Sequence, residues 1–502
     1  MGFSALDYVV LVAYLAGITV FGMQFRRSQN TVRDYFIGRR KTSWVVISLS
    51  IVAAETSTLT VIGVPALMYG TYAHPEQGGA LTYLQVVIGY IVARFVIAAV
   101  LIPRYFQGQL MTAYALLEAR FGVTAKHVAA SLFLIMRSLA EGVRVFAASL
   151  VLSAVIGASL PGLPYLWFWS VLIVGLLTLV YTFEGGIGAV IWTDLIQLTI
   201  YIAGSLLAAW EILQLVPGGW GAILETGRAA NKLQLWSFSW DLSLPFTFWA
   251  GVLGGTFLTM ASHGTDQLLV QRVLTCKSQR DGQKALVLSG FVVLFQFVLF
   301  LTIGLMLFAY YRTHPLPVLM SNDEIFPVFI VNTLPHGISG LVIAAIFAAA
   351  MSNLSASLNS LASTTVLDFY APLSGGRKTD SHLLKVSRWC TAGWGLVLIA
   401  VALMARQWGS VFTAGLTIAS LVYGPMLGAF ALGVLTTRAT TRGVMTGMAV
   451  SLASMGMVRV YTPLAWTWYV LLGTAICVTI GYGVSLLAPE RPGAARPAPP
   501  AV

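Results

Sequence analysis

Long apolar stretches, separated by short polar connections, run along almost the entire chain. Because a bilayer core is crossed by roughly 20 helical residues, each stretch predicts one membrane-spanning helix. About thirteen such helices are expected, at residues 5–25, 43–70, 79–103, 127–157, 163–183, 187–213, 244–264, 285–311, 337–366, 386–405, 410–435, 442–459 and 465–488. The pattern predicts an all-α polytopic membrane protein with one transmembrane domain at 1–488. A Pro-rich cytoplasmic tail at 489–502 is expected to be disordered.

Glu55 places an acid in the second apolar stretch. An ionisable side chain at membrane depth costs several kcal/mol unless it faces a cavity, a partner or a bound ion. Gly63 and Pro65 follow it and are expected to weaken the helix there. Its neighbours include many hydroxyl side chains: Ser48, Ser50, Thr56, Ser57, Thr58 and Thr60. A broken helix with an acid and hydroxyl groups predicts a cation site, and the alternative is a structural acid paired to another helix.

A second interrupted stretch lies at 249–267, five predicted helices after the first. It is rich in glycine: Gly251, Gly254, Gly255 and Gly264. Interrupted helices at matching positions of two halves are typical of inverted-repeat transporters. We therefore expect two five-helix repeats, at approximately 43–213 and 244–435, with one helix before them and two after them.

The composition excludes a soluble protein. Hydrophobic residues make up 58% of the chain and charged residues 9%, too few to solvate the surface of a globular protein of this length. The 29 Lys and Arg residues exceed the 18 Asp and Glu residues and give a formal net charge of +11. They collect in alternate connections, which predicts an external N-terminus and a cytoplasmic C-terminus in a plasma (inner) membrane. The basic excess therefore implies no nucleic-acid partner, and no protein partner is expected.

Motifs for catalysis are absent from the sequence. It contains no HExxH, no GxSxG in a strand–turn–helix context, no GxxxxGK[ST] and no GxGxxG opening a Rossmann unit. The three cysteines, Cys276, Cys390 and Cys477, form no CxxC pair, so neither a disulfide framework nor a zinc site is indicated. We expect neither an enzyme nor an organic cofactor.

One face of the ninth predicted helix is polar. Ser352, Ser355, Asn359 and Ser360 recur there at helical spacing. A hydroxyl group in a spanning helix often bonds only a preceding backbone carbonyl. The density of oxygen atoms on this face nevertheless favours a site for a hard cation such as sodium.

Asp194 lies about two turns into the sixth predicted helix, which is too deep for a surface carboxylate. It is a candidate ligand for a second cation. The alternative is a buried structural pair with an Arg or Tyr side chain.

Arg137, Glu141 and Arg144 lie on one face of the fourth predicted helix, because residues three and four apart are neighbours on a helix. Two positive charges and one negative charge leave one guanidinium free to hold a substrate carboxylate in a bidentate fork. The alternatives are a ladder that joins helices, or arginines that reach the cytoplasmic surface.

Five segments resemble the sodium/solute symporter family, which includes sodium-coupled sugar, proline, iodide, pantothenate and sialic acid transporters. They are DYFIGRR at 34–40, AYALLEARFG at 113–122, the region at 181–197, GTDQLLVQR at 264–272 and MSNLS at 351–355. They occur in the order expected for that family and are spread along most of the chain. The resemblance implies the inverted-repeat fold of amino-acid and sugar symporters.

The resemblance also implies a sodium site between the first broken helix and the ninth helix. Its backbone ligands fall on Ala53, Thr56 and Ala349, and its side-chain ligands on Ser352 and Asn353. The family usually has Ser or Thr at the last position. An Asn there still offers a carbonyl oxygen, on a longer arm that can shift the ion or change the coupling.

Some members of the family have a second sodium site at the acid that matches Asp194, with two adjacent hydroxyl groups. Ser355 keeps the first hydroxyl, and Ala356 does not provide the second. Glu55 falls at a position where some members have a functionally important Asp. These residues are therefore candidates for a second ion or for coupling.

Together these features predict a sodium-coupled symporter that imports a small polar solute by alternating access. The substrate is expected near mid-membrane between the two interrupted helices. Its wall is expected to contain Ser57, Thr58, Thr60, Gly255 and Thr259. The cluster of Arg137, Glu141 and Arg144 favours a carboxylate-bearing substrate, such as an organic acid, an amino acid or an acidic sugar.

Three alternatives remain at this point. A proton-coupled symporter of the same fold would use Glu55 or Asp194 as a titrating group. A passive facilitator or channel would need no acid at the site. A membrane sensor with a transporter fold would need a signalling domain, which the sequence does not contain.

Overall fold

The computed structural model describes residues 3–24, 31–38, 40, 42–71, 74–107, 110–159, 164–316, 319, 322–375, 379–406 and 411–488, and this part of the chain is all-α, as predicted. The first ten helices are α1 (Ala5–Met23), α2 (Val32–Phe36), α3 (Trp44–Glu55), α4 (Thr58–Tyr69), α5 (Leu84–Val100), α6 (Ile102–Gln107), α7 (Ala115–Phe121), α8 (Val123–Ser159), α9 (Leu166–Leu215) and α10 (Gly219–Ala229). The next ten are α11 (Gly255–Gly264), α12 (Gln267–Leu274), α13 (Gln279–Tyr310), α14 (Ile325–Thr333), α15 (Ile338–Ser363), α16 (Ala371–Leu373), α17 (Asp380–Ala405), α18 (Val411–Leu435), α19 (Thr441–Tyr461) and α20 (Tyr469–Leu487). The tail predicted at 489–502 lies outside the described residues.

Among the described helices, ten are long and apolar enough to cross a membrane, or eleven with the bent pair α3 and α4 counted as one span. The chain is therefore a multi-pass membrane protein. The spans predicted at 163–183 and 187–213 form one helix, α9, which kinks at Gly186 (φ 56°, ψ −165°). Glycine adopts this positive φ without a side-chain clash. The described helices do not by themselves give thirteen spans, and that number stays a prediction.

The first interrupted stretch bends by 63° between α3 and α4. The bend lies at Thr56 and Ser57, whose backbones are extended. The hydroxyl of Thr56 donates to the Val52 carbonyl at 2.8 Å, a local bond that competes with continued helix. Gly63 and Pro65, expected to disturb the helix, lie inside regular α4 instead.

The second interrupted stretch breaks between α11 and α12, at Thr265 and Asp266. A π-helical turn, Ala250–Gly254, leads into α11. Asp266 starts the next helix as its N-cap, because its carboxylate accepts a hydrogen bond from the Leu268 N–H at 2.9 Å. Both predicted helix interruptions therefore exist, and an acid lies at or beside each one.

Helix α15 is the buried centre of the fold. It packs against α1, α8, α9 and α17, and all residues from Val342 to Ser363 are buried. Small residues allow this close packing, since a Cβ atom added at Gly204 of α9 would lie 2.7 Å from the Cβ of Ala345. The polar face of α15 therefore has to satisfy its hydrogen bonds within the protein.

Lys232, in the connection after α10, fixes the end of α4. Its ammonium donates to the carbonyls of Tyr69 at 3.0 Å and Gly78 at 2.9 Å, and lies 3.2 Å from the Met68 carbonyl. A lysine at the C-terminus of a helix satisfies carbonyls that have no partner within the helix. Burial lowers the pKa of Lys232 to about 8.

Candidate transport site

A cavity of about 120 Å³ lies between the two broken helices. The break between α3 and α4 contributes to its wall, as do α11 and α12 on either side of the second break, together with α5, α8, α13, α15 and α18. Many of the predicted site residues line it: Glu55, Thr56, Ser57, Thr60, Arg137, Arg144, Thr259 and Asn353. The cavity is therefore in the position expected for a solute site of an inverted-repeat transporter.

The other predicted wall residues lie outside this cavity. Thr58 and Glu141 line a second cavity of about 10 Å³, which has room for about one water molecule. Gly255 faces α5, and a Cβ atom added there would lie 2.6 Å from the Val86 carbonyl oxygen. Gly255 therefore allows two helices to approach each other, and it contacts neither cavity.

Glu55, at the end of α3, is held by two residues of other helices. Its carboxylate accepts a hydrogen bond from the guanidinium of Arg94 on α5 and lies 3.2 Å from Nε2 of His263 on α11. Arg94 is completely buried and also donates to the Ser289 hydroxyl at 3.1 Å. The Glu55 side chain remains 20% exposed on the cavity side. The charge at the first break is thus neutralised by an arginine, and one edge of the acid still faces the cavity.

Asp266, at the second break, binds Arg137. One carboxylate oxygen of Asp266 accepts hydrogen bonds from the Arg137 guanidinium and from the Tyr423 hydroxyl, the latter at 2.6 Å. The Tyr423 hydroxyl lies 3.1 Å from the same guanidinium. All three groups are buried. Arg137 is therefore joined to α12 and α18 and is not the spare guanidinium that the sequence indicated.

Arg144 is less constrained than Arg137, although both lie on α8. It contacts the Glu141 carboxylate at 3.1 Å, and Glu141 also accepts a hydrogen bond from the Ser357 hydroxyl at 2.8 Å. In the part of the chain that the structure describes, the predicted ladder is therefore reduced to the contact between Glu141 and Arg144. The Arg144 side chain is 19% exposed and lines both cavities.

Asp194 is a buried carboxylate with three hydrogen-bond donors. Its Oδ1 accepts from the Ser352 hydroxyl at 2.5 Å, and its Oδ2 accepts from the Ser50 hydroxyl at 2.6 Å and from Arg272 at 2.8 Å. The guanidinium of Arg272 supplies the opposite charge within the membrane. The Ser355 hydroxyl instead donates to the carbonyl of Ser352 at 3.0 Å.

In the side-chain amide of Asn353, the nitrogen is hydrogen-bonded and the oxygen has no hydrogen-bond partner among the described residues. Its amide nitrogen donates to the carbonyl of Ala54, at the end of α3. Its amide oxygen is buried without a hydrogen-bond partner among the described residues, which is unusual for a buried acceptor. An unpaired oxygen beside the break is compatible with a sodium ligand. The other predicted ligands are also buried. Ala53 lies on α3, Thr56 lies at the break between α3 and α4, and Ala349 and Ser352 lie on α15.

Several bonded partners in this region were not predicted from the sequence, among them Arg94, Asp266, Arg272 and Tyr423. Arg94 had a usable signal, because it is a charge inside the apolar stretch 79–103. Asp266 and Arg272 lay in a segment singled out at 264–272. Tyr423 had no signal, since a tyrosine in an apolar helix is ordinary.

The sequence and the fold of this chain match those of known proteins. A sequence profile of the sodium:solute symporter family matches residues 35–451. The chain belongs to the sodium:solute symporter family. The symporter is 30% identical over 492 residues to a sodium/sialic acid symporter of Aliivibrio fischeri, covering 96% of this chain and 93% of that protein.

Two further comparisons extend this result. The symporter is 30% identical over 462 residues to sodium-coupled monocarboxylate transporter 2 of Mus musculus, covering 89% of this chain and 71% of that protein. Its fold matches the solved structure of a Na⁺-coupled sialic acid symporter in a substrate-bound, outward-open state, with a TM-score of 0.86 and 29% identity over 97% of this chain and 99% of that one. The resemblance found in the sequence is confirmed, and the protein is a transporter rather than an enzyme.

Proposed function

We propose that this symporter uses sodium to import a small solute that carries a carboxylate group, and that Arg144 binds that group. The observation that carries the proposal is the environment of Arg144. It lines the cavity, is 19% exposed and has one contact with Glu141 among the hydrogen bonds of the described residues. A guanidinium has five N–H donors in a planar fork, so donors remain for a carboxylate.

The rest of the cavity is suited to a small polar solute. Ser57, Thr60 and Thr259 supply hydroxyl groups to its wall. Its volume of about 120 Å³ is close to that of a cavity that holds benzene, about 150 Å³, which favours a short acid over a large sugar acid. The names of the relatives, a sialic acid symporter and a monocarboxylate transporter, support a carboxylate.

Sodium is the second substrate in this proposal. The backbone carbonyls of Ala53, Thr56 and Ala349 and the side chains of Ser352 and Asn353 would hold it between the first break and α15. The unpaired amide oxygen of Asn353 supports this assignment. Each sodium that enters gains about 2.3 kcal/mol per 100 mV of membrane potential, which sustains roughly a 50-fold solute gradient at 1.36 kcal/mol per decade.

Glu55, Asp194 and Ser355 are proposed to serve coupling rather than to bind a second ion. Glu55 and Asp194 each hold a buried arginine, so their charge is already balanced within the protein. The hydroxyl of Ser355 donates to a backbone carbonyl of its own helix. One sodium per solute is the stoichiometry that these contacts favour.

We further propose the arrangement expected from the sequence for the whole chain. It comprises thirteen spans with two five-helix repeats at approximately 43–213 and 244–435, in one transmembrane domain at 1–488 of the inner membrane. The basic connections place the N-terminus outside and the C-terminus in the cytoplasm. The two broken helices support the repeats, because they lie at corresponding positions.

The proposal is tested by uptake into proteoliposomes. Short monocarboxylates, sialic acid, amino acids and neutral sugars are offered with an inward sodium gradient and again with potassium. Concentrative uptake of a carboxylate in sodium alone is expected. Uptake of a neutral sugar but of no carboxylate would refute the role of Arg144, and equal uptake in both salts would refute sodium coupling.

A further inference from the structure

Helix α13 has an exposed apolar face. Phe291, Phe295 and Val298 are between 42% and 54% exposed. Their spacing of four and three residues places them on one side of the helix. Because α13 is long and apolar enough to cross the membrane, this side faces the hydrocarbon of the lipids.

The same face becomes basic towards the beginning of α13. Arg280 and Lys284 are exposed, and Leu288 between them and Phe291 is half-buried. Steps of three or four residues join all these positions into one face. We call this face the α13 stripe, which consists of Arg280, Lys284, Leu288, Phe291, Phe295 and Val298.

The α13 stripe has the length of one phospholipid. With a rise of 1.5 Å per residue, the 11 residues from Lys284 to Phe295 span about 17 Å. One leaflet of a hydrocarbon core of about 30 Å is roughly 15 Å thick. A headgroup beside Lys284 therefore places an acyl chain of the same lipid along Phe291 and Phe295.

Trp44, the first residue of α3, lies beside the basic end of the α13 stripe. The ammonium of Lys284 is 5.8 Å from the centroid of the Trp44 ring. Tryptophan is enriched at the level of the lipid headgroups, and a lysine near the end of a spanning helix extends its ammonium to the same level. The basic end is therefore where a lipid phosphate lies.

The basic groups at this end lack an acidic partner in the described part of the chain. Lys277, just before α13, and Arg280 and Lys284 are exposed, and none of them forms an ion pair there. Asp281 is within reach of Lys284 by spacing, yet Lys284 contacts Trp44 instead. Three basic residues and one acid leave an excess of two positive charges, which attracts an anionic membrane surface.

We propose that the α13 stripe binds an anionic phospholipid, with the phosphate at Arg280 and Lys284 and one acyl chain along the two phenylalanines. A zwitterionic phospholipid carries its own cation and leaves the positive excess unbalanced. A soluble phosphate leaves the apolar part of the stripe uncovered. The proposal depends neither on the carboxylate solute nor on the sodium site.

The test measures lipid binding to the purified full-length protein by native mass spectrometry. The probes are dioleoylphosphatidylglycerol, which is anionic, and dioleoylphosphatidylcholine, which has the same chains and no net charge. The native protein is expected to bind phosphatidylglycerol more tightly. Equal dissociation constants for the two lipids would overturn the proposal.

The double variant Arg280→Gln with Lys284→Gln removes the proposed phosphate contacts. Its affinity for phosphatidylglycerol should fall roughly 25-fold, because each basic residue near the membrane surface contributes about 1 kcal/mol and each tenfold change corresponds to about 1.4 kcal/mol. Its affinity for phosphatidylcholine should not change. Both side chains are exposed, so the variant is expected to fold.

Arg438→Gln with Arg442→Gln is the matched control. Both arginines are exposed, and Arg442 lies in the first turn of α19, which is also an apolar spanning helix. The corresponding positions further along α19 are small exposed residues: Thr446, Ala449 and Ala453. This variant should keep the native affinity for phosphatidylglycerol. A loss as large as that at α13 would assign the preference to net charge and overturn the proposed site.

Phe291→Ala with Phe295→Ala tests the apolar half of the stripe. Binding of phosphatidylglycerol should weaken by roughly tenfold, because two exposed rings lose their contact with the acyl chain. Glycerol 3-phosphate, a headgroup without chains, should not displace the lipid from the native protein at equal concentration. Displacement would identify a site for soluble anions and contradict lipid binding.

The same spectra report the oligomeric state. A native dimer that dissociates in Phe291→Ala with Phe295→Ala would mean that a second copy of the chain covers the α13 stripe, and would overturn the proposal. No transported solute is needed in these measurements, so their failure is distinguishable from a failure of carboxylate transport.

Discussion

Arg137 and Arg144 lie about two turns apart on α8 and line the same cavity, yet their surroundings are different. Arg137 is 5% exposed and is bound by Asp266 and Tyr423, which belong to other elements. Arg144 is 19% exposed and contacts Glu141 of its own helix. The same side chain on the same helix face is thus bound by other helices at one position and partly exposed to the cavity at the other.

The difference comes from the second broken helix. Its interruption places Asp266 beside Arg137, and a buried charge pair with a hydrogen-bonded tyrosine leaves little capacity for a substrate. No acid from another helix contacts Arg144 among the described residues. A partner supplied by a distant part of the chain therefore distinguishes the two arginines, and this difference supports the proposal that Arg144 binds the solute.

The largest effect is expected when Arg137 loses its acid. Asp266→Asn leaves a buried guanidinium uncompensated, which lowers the free energy of unfolding by about 3–5 kcal/mol. Denaturant titration of the purified protein measures this change. Glu141→Gln is the matched change beside Arg144 and should lower the free energy much less, because Arg144 can reach the cavity. Equal losses in both variants would remove the distinction between the two arginines.

The next effect concerns solute affinity. Arg144→Gln should raise the KM for the carboxylate solute about 10–100-fold, because a hydrogen bond to a charged group contributes about 1.5–3 kcal/mol and each tenfold change corresponds to 1.4 kcal/mol. The KM of Arg144→Lys should lie between that of the native protein and that of Arg144→Gln, since lysine lacks the planar fork. Sodium-driven uptake gives the KM. If Arg144→Gln has the same KM as the native protein, the proposed difference between Arg137 and Arg144 is contradicted.

A smaller effect is expected on sodium. Ser352→Ala and Asn353→Leu should each raise the sodium concentration for half-maximal uptake roughly fivefold, because one oxygen ligand is lost at about 1 kcal/mol and each tenfold change corresponds to about 1.4 kcal/mol. Ser360→Ala serves as the control, since its hydroxyl donates to the Ser357 carbonyl one turn further along α15. If all three variants need the native sodium concentration, the ion is bound elsewhere.

A last prediction extends the comparison to Lys232, a buried cation held by carbonyl oxygens. Its pKa of about 8 lies below the ordinary value of about 10.4, so between these values the unfolded chain binds more protons than the folded one. The free energy of unfolding is therefore expected to rise with pH in this interval. Lys232→Met should remove the rise. If the free energy of unfolding of Lys232→Met rises with pH as steeply as that of the native protein, the rise is caused by other groups.

The sequence was sufficient for the membrane class, the two broken helices and the polar face of α15. Those features depend on local composition, since apolar length predicts spans and glycine or an acid in a span predicts an interruption. The position of the first bend was less accessible. Gly63 and Pro65 were expected to disturb the helix, whereas the chain bends at Thr56, beside Glu55.

Pairing between distant helices could not be read from the sequence. Arg137, Glu141 and Arg144 formed a complete cluster by spacing alone, and only the fold brings Asp266 to the first of them. The sequence was likewise compatible with two roles for Asp194, as a ligand for a second cation or as part of a buried pair. Its partner Arg272 lies on another helix, 78 residues further along the chain. Spacing identifies groups on one helix, and the remaining partners depend on tertiary packing.

The most direct measurement of the central claim is ligand-induced stabilisation of the native protein and of Arg144→Gln. Short monocarboxylates and sialic acid, each paired with its uncharged amide, are added in sodium while the thermal unfolding midpoint is recorded. A ligand that binds the folded state raises this midpoint by mass action. We predict that one acid stabilises the native protein, that its amide does not, and that Arg144→Gln, measured against its own ligand-free midpoint, loses the response. Equal stabilisation of the native protein and Arg144→Gln by that acid would contradict the account.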